Sequence, residues 1–538
     1  MTTLLPPPTA FGLPDKFNTW RPLQDHAVLG IVDTDPHDKR FIAQVQPTGS
    51  GKSLTYMAAA YLDNVRTCVL TSTKGLQTQL MDDFKDIGLV DIRGQNAYRC
   101  KVVESEVGQW PTMCDDGPCH AGMRCKLRED GCLYYDAVRE ATRARLVVTN
   151  YDYWMTAARY GTGLGEFEML VLDEAHAAPG ELADFCAVEL QRAEVEGLIG
   201  GQWPASAYSS MSDWRAWASV SLSRALAIIA GLEMSLERDK ADGDMPDRAA
   251  VRELRALRNV AGRLEVIVRA EGDWVPEFSK GTLRLDPKWA TPYAERYLFL
   301  GTPKVVLTSA TIREKTMELI GVSAGECVFR EYPSTFPVSR RPVVMVPTVR
   351  VNHRTTEGEM KLWLSRIDQI IRGRRDRNGL VHTVSYARRN LVMGSSEHQD
   401  IMWSHDTRNT RSTVERFKRA NPPAVLVSPS IVTGWDFPYT TAEYQIIGKI
   451  GFPDTRPAVM QARHEEDREY IHYEAMQALV QACGRIDRAE DDQGETLVID
   501  DNARWFVPAY RKFAPEWFWD AWRWSKTIPR PLAKLEKL

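Results

Sequence analysis

Gly49, Gly51, Lys52 and Ser53 stand close together in QPTGSGKS, directly after the apolar run FIAQV. Glycines let backbone N–H groups turn toward phosphate oxygens. In such a loop, with Thr48 and Ser50 beside the glycines, Lys52 reaches the β- and γ-phosphates of a nucleotide and the Ser53 hydroxyl holds Mg²⁺. Gln46 occupies the place where the common pattern has its first Gly. A Gly-rich turn without ligand is the plainer reading, and the succession of strand, loop and helix argues against it. A second group, Asp173 and Glu174, follows the apolar run in EMLVLDEAH. Asp173 can position Mg²⁺ through its water shell. Glu174 can accept a proton from a water attacking the γ-phosphate. Acidic residues after a strand are common at surfaces, but downstream of a phosphate loop this pair specifies ATP hydrolysis.

Five of the nine cysteines, Cys100, Cys114, Cys119, Cys125 and Cys132, crowd into one short stretch. Zinc fingers usually show paired CxxC spacings, and none occurs here. Four thiolates can instead hold a [4Fe–4S] cluster. Zinc in a ribbon-like insertion and reduced, unliganded thiols are the competing readings. Cys68, Cys186, Cys327 and Cys483 lie in helix- or strand-like sequence and are expected in the core.

The elements that must position these groups are legible as short apolar runs. FIAQVQ, TCVLTST, RLVVTNY, EMLVLDE and KVVLTSA read as buried strands of a parallel sheet, and helical KSLTYMAAAYL and GLQTQLMDDF follow two of them. Strand, turn and helix repeated in this way imply a doubly wound α/β domain. Two insertions interrupt it, at residues 98–135 and 179–302. In the second, VRELRALRNVAGRLEVIVRA places Val251, Leu254, Leu257, Ala261, Leu264 and Val268 on one helical face. DKADGDMPDR reads as a turn between helices. The solvated face there carries Arg252, Arg255 and Arg258. From about Arg340 a second α/β series begins, with GLVHTVSY, AVLVSPS, YQIIGKI and ETLVID as strands. The basic run Arg372, Arg374, Arg375 and Arg377 is expected in a solvated loop. The tail residues Trp517, Trp519, Trp522 and Trp524 are expected to pack against the second domain.

At 538 residues the chain has length for three or four structural units. With 43% hydrophobic and 26% charged residues, a largely disordered or fibrous chain is excluded. The 68 basic and 72 acidic residues exclude a general positive coat, so any nucleic-acid site is a local groove. No stretch reads as a membrane span or a secretory signal. The expected compartment is therefore cytoplasmic, which for a viral chain means the host cytoplasm.

The ordered motifs resemble those of superfamily 2 helicases, and closely the XPD/DinG-like iron–sulfur helicases. The resemblance covers nearly the whole chain outside the second insertion. RPLQ, with Arg21 and Gln24, looks like the adenine-reading motif, and LTSTKGLQTQL and LVVTNYDYW look like segments that contact DNA or precede the acidic motif. VVLTSAT, with Ser309 and Thr311, resembles the motif linking hydrolysis to movement. SIVTGWDFP, with Gly434 and Asp436, and LVQACGRIDR, with Gln481, Arg485 and Arg488, resemble the fifth and sixth motifs.

By this resemblance the fold is two RecA-like doubly wound domains, the first made of residues 1–97, 136–178 and 303–335 and the second of residues 336–538. An Fe–S cluster domain at 98–135 and a helical arch at 179–302 interrupt the first. The catalytic set is then Lys52, Asp173, Glu174, Gln481, Arg485 and Arg488. Arg21, Gln24, Thr48, Gly49, Ser50, Gly51, Ser53, His176, Gly434 and Asp436 join in binding ATP and Mg²⁺. Cys100 and Cys132 are the outer cluster ligands and Cys119 and Cys125 the inner pair, with Cys114 as an alternate. Ser72, Thr73, Lys74 and Asn150 would contact DNA without reading bases. The implied activity is ATP-driven movement 5′ to 3′ on single-stranded DNA and unwinding of duplex or forked DNA, by a monomer with no separate nuclease domain. A viral or bacterial source fits so compact a chain. The alternatives are a zinc-containing or RNA-directed superfamily 2 ATPase, and a degenerate motor that only binds structured DNA.

Overall fold

The computed structural model describes residues 4–102, 113–117, 119, 125–161, 163–200, 203, 210–241, 248–430, 435–486 and 491–534. Five parallel strands come first: β1 (Phe41–Val45), β2 (Thr67–Thr71), β3 (Leu89–Asp91), β4 (Leu146–Asn150) and β5 (Met169–Asp173). After an excursion, β9 (Lys304–Ser309) and β10 (Cys327–Glu331) join the same sheet, whose order is β10-β1-β9-β5-β2-β4-β3. Alternate side chains of one strand enter opposite cores. Leu170 and Leu172 of β5 face one, Met169 and Val171 the other. Burial on both faces is why these strands read as continuous apolar runs.

The excursion carries β6 (Val188–Gln191), two long helices (Met211–Ala241 and Arg248–Arg269), β7 (Trp274–Ser279) and β8 (Thr282–Pro287). Leu254, Leu257, Ala261 and Leu264 are buried in one core with Trp214, Ala218 and Ala225 of the partner helix. The three strands form an antiparallel sheet, β6-β8-β7, which the helical periodicity gave no sign of. Contrary to the expectation of no span-like stretch, Met211–Arg238 is long and apolar enough to cross a membrane by length and composition. One side of it packs on the second helix.

The second sheet holds β11 (Val343–Val349), β12 (Gly379–His382), β13 (Met402–Ser404), β14 (Val425–Ser428), β15 (Tyr444–Ile447), β16 (Glu495–Asp500) and β17 (Trp522–Trp524). Its order is β13-β14-β12-β15-β16-β11-β17, again all parallel. Trp517 and Trp522 are buried against this domain. Arg374 departs from the solvated loop expected of it. It is 1% exposed and meets both Glu495 carboxylate oxygens at 2.8 Å.

The small sheet is tied to the second domain. The helix Ala458–Glu466 receives it: Trp289 Nε1 donates to Glu466 at 2.7 Å, and Lys288 bridges Asp273 and Glu466 at 2.8 and 2.6 Å. Arg463 donates to the carbonyls of Lys288 and Pro287 and lies over the Trp289 ring.

Candidate active site

The phosphate loop leaves β1 and enters the helix Lys52–Asp63. Gly49 and Gly51 have φ of 76° and 82°, in the left-handed region that glycine tolerates. Two side chains hold the loop from below. The Arg21 guanidinium donates to Gly49 O, and Gln24 Nε2 donates to Gly51 O at 2.9 Å. Arg21 N donates back to Gln24 Oε1 at 3.0 Å. A shallow cleft opens beside them, walled by Leu23, Gln24, Thr48, Tyr332 and Phe336. Its apolar and aromatic walls beside a phosphate-type loop suit a nucleoside base.

Asp173 closes β5 and is buried. It accepts from Tyr56 Oη at 3.2 Å and from Glu174 N at 3.0 Å. Burial, and then the neighbouring Glu174, push its carboxyl up to about 7. Glu174 sits in the left-handed region at φ 50°, a strained conformation that tends to persist at functional sites. Burial pushes its carboxyl up, but Lys52, His176 and Arg485 outweigh that and hold it below the ordinary range, ionised. Lys52 Nζ lies 3.9 Å from Glu174 Oε1. A lysine beside an ionised carboxylate, with a second, buried carboxylate next to it, is a grouping that can activate water for attack on a phosphate.

The second domain reaches across to this group. His176 Nδ1 lies 2.9 Å from Ser309 Oγ and 3.3 Å from Gln481 Nε2. Gln481 Nε2 also donates to Thr311 Oγ1 at 3.0 Å. Arg485 is nearly buried, donates to Trp435 O at 3.3 Å and lies 3.7 Å from Asp436. At Gly484 a Cβ would stand 2.8 Å from Thr48 Cγ2, so the second domain rests directly on the phosphate loop. Lys52, Asp173, Glu174, His176, Gln481 and Arg485 are thus brought together. Gly434 and Arg488 lie outside the described residues. Tyr56, Tyr332 and Phe336 escaped the sequence reading. Tyr56 had a signal: it lies one helical turn beyond Lys52.

On the first domain, parallel pairing sets Thr71 of β2 opposite Asn150 of β4. Ser72, Thr73 and Lys74 therefore lie beside Asn150 at the carboxyl ends of these strands. Thr73 and Asn150 each cap a helix. Lys74 is exposed.

The cysteines also gather. Cys100, Cys114 and Cys132 are buried together, packed by Tyr98, Tyr134 and Tyr135. Burial, then Cys132 and Cys100, push the Cys114 thiol up to about 12. Cys119 is raised by burial and by Cys125, Cys132 and Cys100. Cys114 Sγ donates to Arg99 O at 3.4 Å. Among the described residues no three His, Cys, Asp or Glu side chains are arranged to hold a metal ion.

Two family models match in order: a type III restriction enzyme res subunit over residues 18–195 and a helicase C-terminal domain over residues 371–521. The solved structure of an XPD helicase aligns over 94% of this chain and 98% of its own, with a TM-score of 0.58 at 15% identity. The chain thus carries matches to a type III restriction enzyme res subunit and a helicase C-terminal domain, on a fold like that of the XPD helicase structure. Its two parallel-sheet domains form a RecA-like pair. A second solved structure, S. tokodaii Xpd4, covers 91% of this chain and 99% of its own, with a TM-score of 0.58 at 14% identity. Among curated relatives, the 3′-5′ exonuclease DinG of Staphylococcus epidermidis is 25% identical over 230 residues, 34% of this chain. That of Staphylococcus aureus strain USA300 is 23% identical over 230 residues, also 34% of this chain. The match spans only about a quarter of these relatives, 25% and 26% of their lengths.

Proposed function

We propose that this chain is an ATP-hydrolysing DNA helicase that moves 5′ to 3′ on single-stranded DNA and opens duplex or forked DNA. The observation that carries the reading is the chain of contacts from Glu174 through His176, Ser309 and Thr311 to Gln481, which spans both motor domains. Lys52 binds the β- and γ-phosphates, and Glu174 takes the proton of the attacking water. Arg485 steadies charge on the γ-phosphate from the second domain. Ser53 and Asp173 would hold Mg²⁺, which neutralises phosphate charge when bound. Loss of the γ-phosphate removes what Arg485 and Lys52 share, and the domains part. Ser72, Thr73, Lys74 and Asn150 would grip the strand backbone.

Four thiolates among these five cysteines have the donor chemistry of an iron–sulfur cluster. At Gly117 a Cβ would stand 3.0 Å from Cys100 Sγ, so a side chain there would press on that thiol. Cys100, Cys119, Cys125 and Cys132 would hold a [4Fe–4S] cluster, with Cys114 as the alternate. Bound there, it supplies cross-links that fix the fold of residues 98–135 at the point of strand separation. The helical insertion at 179–302 would form the arch beside it. Metal and sulfide analysis of protein purified without oxygen tests the cluster. About four irons and four sulfides per chain are expected. One zinc and no iron would sink the cluster and reopen the polarity.

A further inference from the structure

Ala310 and Leu319 follow β9 of the first motor domain, yet both are buried in the second domain's core with Tyr473, Met476, Val498 and Trp517. The stretch that carries them begins with two hydroxyls of the hydrolytic group. Ser309 Oγ lies 2.9 Å from His176 Nδ1 and donates to Glu174 Oε2 at 3.5 Å. Thr311 Oγ1 accepts from Gln481 Nε2 at 3.0 Å. Ala310 stands between them, and its carbonyl is taken from far along the chain. Trp517 Nε1 donates to Ala310 O at 2.8 Å. Trp517 is 5% exposed and belongs to the helix Glu516–Ala521 in the C-terminal tail.

The same part of the second domain grips the stretch again further on. Glu516 N donates to Glu331 Oε1 at 2.7 Å, and Arg313 Nη1 and Nη2 meet the two oxygens of that carboxylate at 2.7 and 2.8 Å. The Thr316 and Tyr473 hydroxyls lie 2.6 Å apart. Behind the tail helix, the buried Arg341 donates to Trp517 O at 2.7 Å and to Phe336 O at 3.1 Å. Phe336 is a wall of the cleft beside the phosphate loop. A buried indole N–H needs an acceptor. This one takes the carbonyl flanked by the two hydroxyl residues that meet His176, Glu174 and Gln481. A shift of the tail helix is therefore felt one residue away, at Ser309.

We propose that Trp517 is a positioning residue for ATP hydrolysis: from the C-terminal tail its indole N–H holds Ser309–Thr311 on the second domain and so sets Ser309 against His176 and Glu174. It rests on the reading above that this cleft hydrolyses ATP. Closure of the domains seats the segment, and their parting withdraws it with the tail.

Phosphate release by the full chain over an ATP series, without DNA, tests it. Trp517→Phe keeps a ring and loses the N–H. Its kcat should fall about tenfold with KM for ATP near wild type, because a small displacement of a positioned group costs rate while Lys52 and its loop stay in place. Ser309→Ala should lower kcat about as far. The double variant should be no slower than the slower single one, since both changes remove the same placement, whereas independent losses would multiply to about a hundredfold. Wild-type kcat in Trp517→Phe, or multiplied losses in the double variant, would overturn the proposal. If Trp517→Phe melts early, Glu516→Pro replaces it in the cycle. That change removes the N–H given to Glu331 at the first helical position, where proline is tolerated. It should lower kcat about threefold and add nothing to Ser309→Ala, and wild-type kcat or multiplied losses there would overturn the proposal equally. No ATP hydrolysis by the wild type would overturn the reading of the cleft itself, and this role with it.

Discussion

Arg485 is held from the second domain beside an ionised Glu174, so its charge is available only when the domains meet. Arg485→Ala should lower kcat for ATP roughly 10³-fold while DNA binding persists, measured by phosphate release and anisotropy. Gly484 has no room for a side chain against Thr48. Gly484→Ala should hold the cleft slightly open and lower ATP turnover roughly tenfold or more, because small misplacements of reacting groups are costly. His382 gives a pH prediction. It is buried, its Nε2 faces Gln445 Oε1 at 3.0 Å, and burial lowers its pKa to about 4. The folded imidazole stays neutral while the unfolded one takes a proton near pH 6.5. Stability is therefore complete above pH 6.5 and drains away as pH falls toward 4, by about 3 kcal/mol. Urea unfolding at pH 7 and 4.5 should show His382→Gln losing about 2 kcal/mol less than the wild type over that interval. Equal losses would contradict it.

Elements differed in how plainly the sequence announced them. Central strands such as β1, β5 and β9 are buried on both faces, and their apolar runs stand out. Edge strands β3, β13 and β17 are three residues long and carry no pattern to read. β7 and β8 are joined by Lys280 and Gly281, both with positive φ, a two-residue hairpin turn. Pro276 and Glu277 dilute the alternation of β7, so the hairpin was hidden within a helical insertion. The nucleotide motifs were legible because their chemistry is local. Tyr332 and Phe336 were not, since only the fold carries them to the phosphate loop. Arg374 misled for the same reason: its partner Glu495 is distant in sequence. Arg374→Ala leaves that carboxylate buried and unpaired, and should cost about 3–5 kcal/mol by urea unfolding. Arg374→Met with Glu495→Leu should cost far less.

Across the whole molecule, an insertion that leaves from the first motor domain is fastened to the second through Trp289, Lys288, Glu466 and Arg463. Domain movement would therefore carry the insertion along. Trp289→Ala with Glu466→Ala should lower the base pairs opened per ATP hydrolysed, while DNA-stimulated hydrolysis stays near wild type. Parallel loss of both would contradict that coupling. In the proposed function, ATP turnover in this cleft is coupled to movement along a DNA strand. Its most direct test is unwinding of a labelled duplex with a 5′ or a 3′ single-stranded tail, alongside phosphate release with and without that DNA. DNA-stimulated hydrolysis, opening of the 5′-tailed substrate, and loss of both in Lys52→Ala are the expected results. Hydrolysis no faster with single-stranded DNA than without it, and no strand opened, would contradict it.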